Sequence, residues 1–130
     1  MFRAISGHNA YGTDANDAAL VLGTDDTPRI TGMTRFDLHR LFIAAVSVNT
    51  PWKLRIIYGS GSMLEAIASG QYTEVVLAQD DTNPQQAVGI PVDVIMPRIH
   101  CETDKVWVQV WNATNDATID FLVGLHEYEV

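Results

Sequence analysis

A chain of 130 residues is the length of one domain and leaves no room for two ordinary ones. Its 47% apolar and 18% charged residues are enough for a core and exclude wholesale disorder. Eight Lys and Arg against sixteen Asp and Glu give a net charge of −8, which argues against a basic surface that neutralises duplex phosphates.

In chain order, residues 7–34 are rich in Gly, Asp, Asn and Thr, with apolar islands only at Ala18–Leu22 and Ile30. Such a stretch reads as an extended N-terminal arm over residues 1–35 with one embedded short strand. A β-sandwich domain over 36–130 is expected to follow. Leu41–Val48 is a β-prone run closed by Asn49-Thr50-Pro51, and Lys53–Tyr58 stops at Gly59-Ser60-Gly61. These two runs read as adjacent antiparallel strands joined by a short turn. Ser62-Met63-Leu64-Glu65 has the capping-box pattern, and Gly70 supplies a stop, so a two-turn helix competes here with an irregular strand or loop.

Tyr72–Leu77 reads as a strand, residues 79–86 as a polar loop, and Val88–Met96 as a strand that Pro91 confines to an edge or a strand start. In Val106–Trp111 the three valines share one face, while Trp107, Gln109 and Trp111 share the other. Asn112–Asp116 is a turn, and Ile119, Phe121, Val123 and Leu125 alternate with Asp120, Leu122, Gly124 and His126. The pair reads as a long hairpin with both strands half buried. Seven or eight strands with turns every 8 to 15 residues predict an all-β, antiparallel β-sandwich of the jelly-roll type.

Catalytic patterns are missing. His8, His39, His100 and His126 are isolated, with neither His-x-His nor His-Glu-x-x-His. His100 and Cys101 are neighbours and point to opposite faces of a strand, a poor metal geometry. The lone Cys101 excludes an internal disulfide and any multi-cysteine zinc site. Gly59-Ser60-Gly61-Ser62 is neither a nucleophile elbow nor a phosphate cradle. Asp25-Asp26 and Asp80-Asp81 read as solvated loop charge, and nothing singles out Asp93, Glu102, Asp104 or Asp120 as a glycosidase pair. The expectation is a protein that is not an enzyme and uses no cofactor or metal. The longest apolar stretch, Leu41–Val46, is far short of a membrane span, and the N-terminal residues lack a signal-peptide run, so cytosolic synthesis is expected. On that expectation Asn112-Ala113-Thr114 is a glycosylation sequon by coincidence.

Trp107 and Trp111, about 13 Å apart on one strand face, fit three roles: core residues, protein-interface anchors, or a platform for sugar rings. Charge is also unevenly placed. Residues 31–60 carry Arg35, Arg40, Lys53 and Arg55 against Asp37, a net of +3. Residues 61–130 carry Arg98 and Lys105 against eleven carboxylates, a net of −9, and residues 1–30 add −2. A positive segment on an acidic body predicts a surface that docks on one side.

The stretch from Lys105 to Asn115, running on through Ala117–Tyr128, together with Leu54–Gly59 and Gly70–Glu74, resembles small β-sandwich cement (decoration) proteins of tailed-bacteriophage capsids. The resemblance covers residues 40–130 and rests on overall pattern. It implies a structural virion protein on the outer surface of the head that clamps neighbouring major capsid proteins. It also implies a homo-oligomer, a trimer before a dimer, with neither membrane nor nucleic acid as direct partner. On this reading the N-terminal arm and Arg35, Arg40 and Arg55 face the capsid, and Trp107, Trp111 and Tyr128 are capsid or oligomer anchors. The rival readings are a carbohydrate-binding module or phage fibre domain, marked by an exposed Trp107/Trp111 face, and a β-sandwich enzyme, marked by converging histidines or carboxylates.

Overall fold

The computed structural model describes residues 1–14, 16–22, 35–77, 91–95 and 105–128. Among them are nine strands and one short helix: β1 (Phe2–Ile5), β2 (Ala10–Tyr11), β3 (Ala19–Leu22), β4 (Arg35–Val46), β5 (Trp52–Gly59), α1 (Met63–Ala68), β6 (Tyr72–Leu77), β7 (Pro91–Asp93), β8 (Lys105–Asn112) and β9 (Thr118–Tyr128). They form an all-β, antiparallel two-sheet sandwich. Sheet A has the order β1-β9-β4-β7, and sheet B the order β2-β8-β5-β6. β3 also pairs with β8, on the edge that β2 occupies further along.

Alternation builds the core. Trp52, Leu54 and Ile56 of β5 and Val106, Val108 and Val110 of β8 are buried from sheet B. Phe36, Leu38, Leu41 and Ile43 of β4 and Ile119 and Phe121 of β9 are buried from sheet A, all in one cluster. The change of phase in β4, from even to odd inward positions, is made by a register shift between Leu38 and Arg40. Such a bulge inserts one residue and keeps the apolar side chains pointing inward along a twelve-residue strand.

Neither predicted hairpin forms. β4 lies in sheet A and β5 in sheet B, and β8 and β9 are divided in the same way. The segments 47–51 and 113–117 are arches that carry the chain from one sheet to the other. Half-buried strands show the same alternation whether they sit side by side or face to face across a core, so periodicity does not separate the two arrangements. Hydrogen bonds hold the arches. The fully buried Asn112 accepts at Oδ1 from Thr50 Oγ1 (3.1 Å) and from the Thr114 amide (2.8 Å), and its Nδ2 donates to the Pro51 carbonyl (3.3 Å). Trp52 Nε1 donates to Val48 O (3.3 Å). Ser6 Oγ donates to Thr114 O (2.8 Å) and accepts from the Ala117 amide (3.2 Å).

The first 22 residues are not an arm. β1 adds to the edge of β9, β2 and β3 add to β8, and Ala4, Ala19, Val21 and Leu22 enter the core. Short polar stretches hid this because each strand is only two to four residues long and is stabilised by a long partner from elsewhere in the chain. The remainder of the expected arm, residues 23–34, lies outside the described residues, as does the loop expected at 79–86. Gly12 is required by close approach: a β-carbon there would lie 2.1 Å from the Ile5 carbonyl oxygen.

The Ser62 motif does cap a helix, since its Oγ accepts from the Glu65 amide (3.2 Å) and Gly70 ends the segment at φ +75°. A six-residue helix is stabilised by packing rather than by propensity. α1 buries Ala66 against Ile57 and Trp107 on the outer face of sheet B, with Met63, Ile67, Tyr72 and Leu20 around them. β7 (Pro91–Asp93) lies at the edge of sheet A, a position that suits its proline, while residues 88–90 and 96 of the expected strand lie outside the described residues.

Asn112→Ala is expected to cost about 2–4 kcal/mol in urea unfolding, because it orphans buried groups in both arches. Deletion of residues 1–22 is expected to abolish the cooperative transition followed by circular dichroism.

Candidate functional site

The outer faces of the two sheets carry different chemistry. On sheet B, cross-strand pairing sets out three rows. Tyr11, Trp111, Lys53 and Val76 form the first, Gln109, Arg55 and Glu74 the second, and Leu20, Trp107, Ile57 and Tyr72 the third. The Arg55 guanidinium lies between two rings, 4.1 Å from the Tyr11 centroid and 4.7 Å from that of Tyr72, with Nε 3.5 Å from Glu74 Oε2. Tyr11 Oη donates to Glu74 Oε2 at 2.7 Å. Burial, reinforced by the Glu74 carboxylate, pushes the Tyr11 phenol well above its usual range. Gln109, itself buried, donates from Nε2 to the Gly12 carbonyl (3.0 Å). Lys53 Nζ stands 4.7 Å from the Trp111 ring. This network joins β2, β8, β5 and β6 and uses Arg55 to do so.

Trp107 and Trp111 share the outer face as their spacing predicts, but Trp107 is only 7% exposed beneath α1. Trp111 is half-buried under Lys53. The face that would stack sugar rings is therefore half covered by the chain's own helix. The sequon residue Asn112 is fully buried.

On sheet A the outer face is apolar at its centre. Pro91, Phe42 and Leu122 stand in register across β7, β4 and β9. Phe42 is 39% and Leu122 50% exposed, and Ile95, just past β7, is 86% exposed. Ion pairs flank this strip. Arg40 Nε donates to Asp93 Oδ1 (3.1 Å). Arg3 forks onto Asp120, with Nε to Oδ1 at 2.6 Å and Nη2 to Oδ2 at 2.9 Å.

At one end of the same face, Arg35 pairs in register with Tyr128, and Asp37 with His126. Tyr128 stacks on His126 with centroids 4.4 Å apart and donates from Oη to Asp37 Oδ2 at 2.8 Å. His39 meets His126 edge-on at 5.6 Å. Two of the histidines that read as isolated are thus neighbours, because β4 and β9 pair over an 87-residue separation between 39 and 126. Asp37, His39 and His126 have the donor set of a metal centre. His8 is exposed, and His100, Cys101, Glu102 and Asp104 lie outside the described residues, as do Asp25, Asp26, Asp80 and Asp81.

The structure therefore divides the six residues singled out in the sequence. Arg35, Arg40 and Tyr128 are on the outer face of sheet A, and Arg55, Trp107 and Trp111 on that of sheet B. The positive segment 31–60 does not make one docking side, because consecutive strands β4 and β5 face opposite directions across the core. Phe42, Leu122, Asp37 and His39 were missed. The signal for Phe42 was present: the run Leu41–Val46 is apolar at both phases, so one phase had to face outward. In comparisons with known proteins, no family model, curated protein or solved structure matches this chain.

The Arg3 hydrogen bonds, together with its charge, hold the Asp120 carboxyl below the usual carboxylate range. A carboxyl depressed in the folded state stabilises fully above its unfolded value, near 3.9, and loses that contribution as pH falls through the folded value. Asp120→Asn is expected to flatten the acid side of the stability profile below about pH 4, measured as thermal midpoint against pH.

Proposed function

We propose that this chain is a structural protein of a phage particle, a small sandwich subunit that decorates the outer capsid surface and bridges major capsid proteins. The observation that carries the proposal is the exposed apolar strip Pro91–Phe42–Leu122 at the centre of an otherwise polar sheet face. Contiguous apolar surface rimmed by polar groups marks a protein-binding face. The capsid as partner comes from the resemblance over residues 40–130. The strand order β1-β9-β4-β7 opposite β2/β3-β8-β5-β6 supports reading the sandwich as a jelly roll, an architecture of viral capsid domains.

On this reading the outer face of sheet A lies on the capsid, and sister subunits associate as a homo-oligomer, a trimer before a dimer. Among the described residues that face carries Arg3, Arg35 and Arg40 against Asp37, Asp93 and Asp120. Charges this evenly matched give attachment through apolar contact, with a shallow salt dependence. The carbohydrate reading has weaker support, since it asks for an open Trp107/Trp111 face. Phe42→Asp combined with Leu122→Asp is expected to lower occupancy on purified capsids at least tenfold in a co-sedimentation assay while the circular dichroism spectrum is retained. Undiminished occupancy by the folded variant would refute the assignment of this face.

A further inference from the structure

We propose that Asp37, His39 and His126 form a binding site for a divalent transition-metal ion of the zinc type on the outer face of sheet A. One ligand atom from each of the three side chains lies within 4.8 Å of the other two. Zinc bonds of about 2.0–2.2 Å place neighbouring tetrahedral ligand atoms roughly 3.4 Å apart. Closing the difference takes side-chain rotation of about an ångström, and His39, exposed beside a bulge, has that freedom. Two imidazoles and one carboxylate suit zinc and its first-row neighbours, whereas calcium and magnesium ask for an all-oxygen shell.

Two features beyond proximity point to a cation. Asp37 Oδ1 is a buried oxygen atom with no hydrogen-bond partner, while Oδ2 is taken by Tyr128. A buried, unpartnered carboxylate oxygen is costly unless something positive meets it. The second feature is the Tyr128 hydroxyl. A carboxylate only accepts, so the single Tyr128 proton goes to Asp37. The same hydroxyl lies 3.2 Å from His126 Nδ1. Tyr128 therefore orients both the carboxylate and the imidazole, as the outer groups of metal centres do. It is a positioning residue, and the remaining coordination positions open to water. Its ligands lie at one end of the face and the apolar strip at the centre, so separate substitutions test the two.

The test is calorimetric titration of the full chain with ZnCl2, paired with Co2+ absorption. The expected result is one ion per chain, with visible d–d bands on Co2+ addition. Affinity should fall at least tenfold in Asp37→Asn and in His39→Ala, and by roughly 10–100-fold in Tyr128→Phe. His39 is exposed, so His39→Ala keeps the fold and its metal-free thermal midpoint should match that of the parent chain. No uptake at millimolar zinc, or uptake with unchanged affinity in His39→Ala combined with His126→Ala, would overturn the site.

Discussion

One buried amide holds two of the crossings between the sheets of this sandwich. Asn112 ends β8 and bonds to the arch that follows it and to the arch that precedes β5. Each arch passes the chain from one sheet to the other, so their positions decide which strands are partners and which face each other. An amide fits this task because it offers both donors and acceptors, and arches, unlike strands, have no ladder to satisfy their own backbone groups. Ser6 performs a similar service for the 113–117 arch from the N-terminal side, bringing β1 into sheet A at the same place.

With the crossings set, the sandwich has two outer faces of unlike character. Sheet B is covered in part by its own chain: α1 lies over Trp107 and Ile57, and Arg55 is held between Tyr11 and Tyr72 and paired with Glu74, while Val76 at its edge stays exposed. Its aromatic and basic residues are spent within the subunit. Among the described residues nothing covers the outer face of sheet A, which has an apolar centre, flanking ion pairs and a histidine–carboxylate cluster at one end. Exposed apolar surface rimmed by polar groups and a self-paired polar face are thus divided between the two sheets among the described residues.

The residues that drew attention in the sequence were those with conspicuous chemistry, tryptophan and arginine, and the fold gave several of them internal work. The residues that form the open face are ordinary ones. Phe42 and Leu122 were visible as apolar side chains at outward phases, but only their register across β7, β4 and β9 makes them contiguous. His39 and His126 carry no local signature because metal-type spacing on one strand is not how they meet. They come together across a ladder between distant strands, as do Asp37 and Tyr128.

The features legible in the sequence are those set by short-range physics. Alternation placed Val106, Val108 and Val110 on one face, the proline at 91 pointed to an edge or a strand start, and Ser62 with Glu65 offered a helix cap; each depends on residues within a few positions of one another. The all-β class follows from the same local patterns. Long-range pairing set the rest: β4 and β5, and β8 and β9, face each other across the core, β1, β2 and β3 belong to the sheets, and the positive segment is split between opposite faces. Burial rewards an inward phase equally in either sheet, so the choice of sheet is made by long-range pairing and by the buried hydrogen bonds of the arches.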